Sequence, residues 1–210
     1  MLIYPDSVAA RERAAETIAA GGLLAFRTDT FYGIGADPFN VEALDAINAL
    51  KGRDGKPILV LVSDEQVVAR LLARRTRVFD LLAERLWPGA LTLVAEAGAE
   101  VPSILKAGKG TVGVRLPDDD AAREVVRACG GVLTATSANP AGQPPARTAA
   151  EVARYFPRGL GLLIDGGAAR TELPSTVLDV SGEHPHIIRE GAVTRATIEE
   201  ALRSINTTPI

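Results

Sequence analysis

The sequence predicts one α/β domain over residues 1–210, a twisted mixed sheet with helices around it. Three observations lead there. The apolar run Ile58–Val62 has strand length and no alternation, the mark of a strand buried on both faces. Helix-period segments with caps mix with such strands, but without the strict strand–helix beat of a doubly wound fold. No repeat, low-complexity tract or linker divides the 210 residues, and 47% of them are hydrophobic, enough for a full core.

Asp6 or Ser7 caps a first helix to about Ala20, which Gly21-Gly22 stops. The stretch from Leu23 to Gly35 begins as a buried strand and ends in hydroxyls, Asp29 and two glycines. Asn40 caps a helix over Val41–Leu50, and Lys51 to Pro57 reads as a loop by its glycines and proline. After the strand Ile58–Val62, a helical region runs from Asp64 to Trp87, with a break near Arg74–Thr76. Strands follow at Ala90–Ala95 and Thr111–Arg115. Asp118 caps a helix to Cys129, and Gly130-Gly131 ends it. A short strand, Val132–Ala135, opens into a polar loop that continues to Pro145. Thr148 starts a helix to about Tyr155. Strands at Leu162–Ile164, Thr176–Val180 and His186–Arg189 precede a last helix from Thr194 or Thr197.

Composition narrows the function. Net charge is −3 and only 4% of residues are aromatic, which argues against a general nucleic-acid binder or a base-stacking platform. The one cysteine, Cys129, lies in an apolar run and reads as packing. The two histidines, His184 and His186, flank Pro185 without a third ligand for zinc. Gly108 to Gly113 matches a dinucleotide-type glycine pattern but precedes a strand, so no helix N-terminus would hold a pyrophosphate. No apolar run reaches membrane-spanning length and no signal-peptide core is seen, so a cytoplasmic location is expected, with no membrane partner.

The chemistry collects at strand ends. Thr28, Thr30 and Tyr32 follow the first buried strand; Ser137 and Asn139 follow another; Ser175 starts a third. Lys51, Arg53, Arg115 and Arg189 add four cations in the same kind of position. Arg115, finishing an apolar strand, calls for a counter-charge, either a structural carboxylate or a ligand phosphate. Cations with neutral donors suit a nucleotide, and phosphoryl chemistry done by positioning and charge neutralisation. No acidic cluster is dense enough to cage a metal, so Mg2+ would arrive on the nucleotide.

Seven motifs, in order, carry a resemblance: Thr28-Asp29-Thr30 with Tyr32-Gly33 and Gly35; Lys51-Gly52-Arg53; Trp87-Pro88-Gly89 with Leu91-Thr92; Thr111 to Arg115 with Pro117; Thr136-Ser137-Ala138-Asn139; Ser175-Thr176-Val177 with Asp179; and Arg189 with Gly191-Ala192. They resemble the YrdC-like family of L-threonylcarbamoyladenylate synthases. The resemblance implies a large concave cavity and a reaction in which L-threonine, bicarbonate and ATP give threonylcarbamoyl-AMP and pyrophosphate. That product is the first step toward the threonylcarbamoyl modification of tRNA. It implies double-stranded RNA or tRNA as a further partner, and a downstream threonylcarbamoyl transferase. Lys51 and Arg53 become catalytic, neutralising phosphoryl oxygens. Thr28, Thr30, Tyr32 and Ser137 become the threonine and bicarbonate side. Arg115, Asn139, Ser175 and Arg189 become the nucleotide side. Three departures stand out. Arg27 occupies a position where the family usually has proline; the spacer Asp54-Gly55-Lys56 is one residue short; and Thr171 to Pro174 replaces a glycine-rich segment. The competing readings are a paralogue acting on another carbamoyl substrate and a non-catalytic RNA-binding module.

Overall fold

A computed structural model describes residues 1–52, 57–106 and 110–203. The spine is a ten-stranded mixed sheet. In chain order its strands are β1 (Leu2–Pro5), β2 (Leu24–Arg27), β3 (Tyr32–Gly35), β4 (Leu59–Val62), β5 (Leu91–Glu96), β6 (Thr111–Arg115), β7 (Val132–Ser137), β8 (Leu162–Asp165), β9 (Thr176–Asp179) and β10 (His186–Arg189). Across the sheet they run β1-β8-β2-β3-β7-β4-β6-β5-β9-β10. Parallel pairs join β1 to β8, β8 to β2, β4 to β6 and β5 to β9; the other five pairings are antiparallel.

Among the described residues there are six α-helices: α1 (Val8–Ala19), α2 (Val41–Lys51), α3 (Arg77–Leu86), α4 (Asp120–Ala128), α5 (Ala149–Tyr155) and α6 (Arg195–Leu202). Their starts are set by side-chain oxygens that accept the otherwise orphaned first-turn N–H groups, from Ser7, Asn40, Thr76, Asp119, Thr148 and Thr194 respectively. Thr148 and Glu151 complete a reciprocal capping box on α5. Gly52 ends α2 with φ +61°, a left-handed cap that a side chain would strain.

The core divides by sheet face. On one face α1 and α4 pack on each other and over Leu24, Phe26, Leu61, Leu133 and Ile164. On the other lies the larger core, including Ile47 of α2, Phe79 and Leu82 of α3, Val152 of α5 and Ile198 of α6. Strand alternation assigns the faces: Leu61 turns to α4 while Val60 and Val62 turn away. Arg115 is in register with Leu61, so it shares the α1/α4 face. Beyond β4, the strands of that face floor a cavity.

Several boundaries differ from the sequence expectation. The stretch Leu23 to Gly35 is a β2–β3 hairpin, with the hydroxyl cluster at its turn rather than at the end of one strand. The cap of α4 is Asp119, not Asp118, because Asp119 Oδ1 accepts from Ala122 N at 3.0 Å. The region after Asp64 is a 3-10 turn, Gln66–Arg70, and a separate α3; Thr76 at the expected break is the N-cap of α3. β7 runs on to Ser137, whose Cα pairs with Gly33 of β3. Edge strand β1 escaped notice because its four residues are mostly exposed and give no alternation. Among the described residues, no helix is long and apolar enough to cross a membrane.

Candidate active site

The cavity measures about 840 Å3. Its floor is one face of the sheet, read off by period two: Ala135 and Ser137 on β7, Gly113 and Arg115 on β6, Thr92 and Val94 on β5, Val177 and Asp179 on β9. The β2–β3 turn supplies the wall with Thr28, Thr30 and Phe31, and β10 supplies a rim with His186, Ile188 and Arg189. Gly113 keeps the floor low; a Cβ there would sit 3.2 Å from Thr92 Cγ2.

The turn is self-supporting. Thr28 Oγ1 donates to the Phe31 carbonyl at 2.8 Å, accepts from Thr30 N at 3.2 Å, and lies 3.1 Å from Thr30 Oγ1. Against it lies Arg115, 3% exposed. Its guanidinium reaches Thr30 at 3.4 Å and Thr28 at 3.5 Å, and Asp29 Oδ1 at 3.2 Å. These contacts are long, Nε has no partner, and Asp29 Oδ1 accepts no hydrogen bond. Burial holds the Arg115 pKa below the ordinary guanidinium value; Asp29 opposes that shift and the positive charge of Arg189 adds to it.

Arg189 belongs to a second group. It folds back from the rim, with Nη2 donating to the Ser175 carbonyl at 2.9 Å and to the Ser175 hydroxyl at 3.3 Å. Loss of hydration lowers its pKa as well. Ser175 Oγ lies 3.0 Å from Thr92 Oγ1, a pair buried in the floor. Two guanidiniums short of hydration, one of them further opposed by the other's charge, in a cavity of hydroxyls, form a site that an anion would relieve.

Seven of the ten residues singled out from the sequence therefore line one cavity: Thr28, Thr30, Tyr32, Arg115, Ser137, Ser175 and Arg189. Tyr32 does so with its hydroxyl already committed. That hydroxyl donates to the Gly167 carbonyl at 2.8 Å, accepts from Gly166 N at 3.2 Å, and lies 3.2 Å from Asp165 Oδ1. Burial, with the Asp165 charge second, pushes the Tyr32 phenol up to about 12.

Lys51 and Asn139 are not in the cavity lining. Lys51 is the last residue of α2, 4% exposed, and its ammonium donates to the Ser137 carbonyl and, at 2.7 Å, to the Asn139 carbonyl. It ties α2 to the backbone of the segment 137–139 rather than presenting a charge to the cavity. The Asn139 side-chain nitrogen donates to the Pro140 and Gln143 carbonyls, holding the following loop. Arg53 and the spacer Asp54-Gly55-Lys56 lie outside the described residues, as do Gly108 and Lys109.

Sequence reasoning missed Thr92, Thr111, Asp179 and His186 as lining residues. Polar or small residues at alternate positions of otherwise apolar β5, β6 and β9 were the available signal. Arg27 gains an account: its guanidinium donates to Asp119 Oδ2 at 2.9 Å and to the Gly166 carbonyl, and it is not among the residues that line the cavity. Burial pushes the Cys129 thiol up to about 12, in keeping with a packing residue.

Comparison with known proteins follows this geometry closely. The Sua5/YciO/YrdC family profile, described as "Telomere recombination", matches residues 16–191. The threonylcarbamoyl-AMP synthase of Pyrococcus abyssi is 33% identical over 197 residues, which cover 93% of this chain and 58% of that protein. The threonylcarbamoyl-AMP synthase of Halorhodospira halophila is 35% identical over 167 residues, covering 79% of this chain and 87% of that one. The crystal structure of P. abyssi Sua5 complexed with L-threonine superposes with a TM-score of 0.90 at 31% identity, covering 96% of this chain and 60% of that chain. The chain thus spans under two thirds of the P. abyssi protein and most of the H. halophila one. Profile, relatives and superposition agree with the ten-stranded sheet and its cavity: the chain belongs to the Sua5/YciO/YrdC family.

Proposed function

We propose that the protein is an L-threonylcarbamoyladenylate synthase, condensing L-threonine, bicarbonate and ATP to threonylcarbamoyl-AMP and pyrophosphate. The observation that carries this is the pair of under-compensated guanidiniums, Arg115 and Arg189, in one hydroxyl-lined cavity. Family membership supports it, as does the L-threonine in the related P. abyssi structure.

The two arginines divide the work. Arg115 lies against Thr28 and Thr30, so it is assigned to the amino-acid side, with the threonine carboxylate as its anion. This moves Arg115 away from the phosphate role suggested by the sequence. Ser175 and Arg189, with Ser137 across the floor, take the nucleotide phosphates. The amine nitrogen bonds to the bicarbonate carbon as a C–O bond breaks and water leaves, giving a carbamate, whose oxygen then attacks the α-phosphorus as the bond to pyrophosphate breaks. Positive charge at Arg189 stabilises the oxygens on which charge builds. Arg53 is assigned the same task. Lys51 acts through the 137–139 backbone that it holds, and Tyr32 helps form the wall. MgATP is the substrate form, with phosphate oxygens and water as the magnesium's ligands. The product is an activated acyl phosphate, which suits transfer to tRNA by a second enzyme.

The test is direct. Protein, ATP, L-threonine and bicarbonate should release pyrophosphate in a threonine-dependent manner. Release that ignores threonine, or no release, overturns the proposal, and an RNA-binding module would give neither product nor pyrophosphate.

A further inference from the structure

A carboxylate in a cavity built for an anion needs a reason. Asp179 ends β9, lines the cavity and is 7% exposed. One of its oxygens is spoken for: Oδ1 accepts from Ser181 N at 2.9 Å and from the Ser181 hydroxyl at 2.6 Å. The other, Oδ2, has His186 Nε2 at 3.9 Å, beyond hydrogen-bond reach. Among the described residues Oδ2 has no hydrogen-bond donor, and it lies in the cavity wall where a ligand N–H can reach it.

Its position says which part of a ligand. Asp179 lies four residues along β9 from Ser175, about 13 Å at ~3.3 Å per residue. That is comparable to the length of an extended nucleoside monophosphate. Phosphate held at Ser175 and Arg189 therefore places the base near Asp179. The floor between them is apolar and low, made by Val177, Val94 and Gly113. The threonine amine is the other candidate donor, but Arg115, Thr28 and Thr30 put the amino acid beside Asp29 instead.

We infer that Asp179 Oδ2 accepts a hydrogen bond from the exocyclic 6-amino group of the nucleotide and thereby selects adenine over 6-oxo purines. This rests on the synthase reading above. A carboxylate only accepts; adenine presents a donor at position 6, whereas guanine and hypoxanthine present an acceptor there.

Asp179→Asn is the decisive variant, because it keeps an oxygen for Ser181 and turns the other atom into a donor. Threonine-dependent pyrophosphate release is measured with ATP, ITP and 2′-deoxy-ATP. Wild type should favour ATP over ITP in kcat/KM by roughly ten- to hundredfold, and Asp179→Asn should shrink that ratio at least tenfold. An unchanged ratio in the variant overturns the inference. So does a rise confined to the threonine KM, or a defect with ATP that disappears with 2′-deoxy-ATP, which would place the carboxylate on the ribose. A second arm needs no variant: wild type should use the triphosphate of purine riboside, which lacks the 6-amino group, at least tenfold less well than ATP, and equal use overturns the inference. Absence of any threonine-dependent release in wild type would instead sink the synthase reading, so the two failures are distinguishable.

Discussion

Two arginines finish strands of the same sheet, and their surroundings differ. Arg27 closes β2 and meets Asp119, whose side chain is 1% exposed and also caps α4, together with the Gly166 carbonyl. Three segments are pinned by one guanidinium. Arg115 closes β6 and meets Asp29 at 3.2 Å and two threonine hydroxyls at 3.4–3.5 Å, none of them close. In both, Nε lacks a partner, so the difference lies in the terminal nitrogens. Donors used at full strength inside the protein hold the frame. Donors held buried at long range face what binds.

The contrast is broken most sharply at Arg115. Arg115→Gln should cut threonine-dependent turnover by about a thousandfold, the scale for losing a charged donor in a preorganised site. Its melting temperature should stay within a few degrees, because the lost guanidinium was poorly compensated. A large drop in melting temperature with activity retained would reverse its assignment to the site. Next comes Lys51→Met, expected to lower kcat/KM for ATP by roughly ten- to hundredfold by freeing the Ser137 and Asn139 carbonyls. An unchanged value would show that the 137–139 backbone holds without it. Arg27→Met should do the converse of Arg115→Gln: a loss of about 3 kcal/mol in unfolding free energy, from the stranded Asp119, with turnover at low temperature within about threefold of wild type. Chemical denaturation alongside the pyrophosphate assay reads both.

The smallest effect concerns Tyr32, across the hairpin from Arg27. Its phenol ionises near 10 unfolded and about 12 folded, so the folded state holds the proton more tightly. The stabilisation is complete below pH 10 and is lost as pH rises from about 10 to about 12. Tyr32→Phe should flatten that part of the stability profile and change turnover only severalfold. A retained slope would assign it to the Cys129 thiol, which titrates in the same direction.

How far the sequence could be read follows from the same contrast. Capping signals at Asn40, Thr148 and Thr194 are local, and the helices begin there. Apolar runs marked β4 and β6 because burial on both faces leaves a continuous pattern. Strand order could not be read: β8 lies between β1 and β2, a pairing made by residues some 140 to 160 positions apart. For the site, the residue types in the motifs brought seven of ten to one cavity, but not their orientation. Lys51 and Tyr32 show why. A lysine beside a glycine and a tyrosine beside two threonines look ligand-facing until the backbone carbonyls and the 165–167 turn that absorb them are known. Arg27 was illegible for the reverse reason, since its partners Asp119 and Gly166 are 92 and 139 residues away.

The division between frame and site is tested most directly by calorimetric titration of L-threonine into wild type, Arg27→Met and Arg115→Gln, each verified as folded. Wild type and Arg27→Met should bind with the same affinity within about threefold, and Arg115→Gln should show no binding at millimolar threonine. Normal binding by Arg115→Gln, or its loss in folded Arg27→Met, would contradict the assignment of the two arginines.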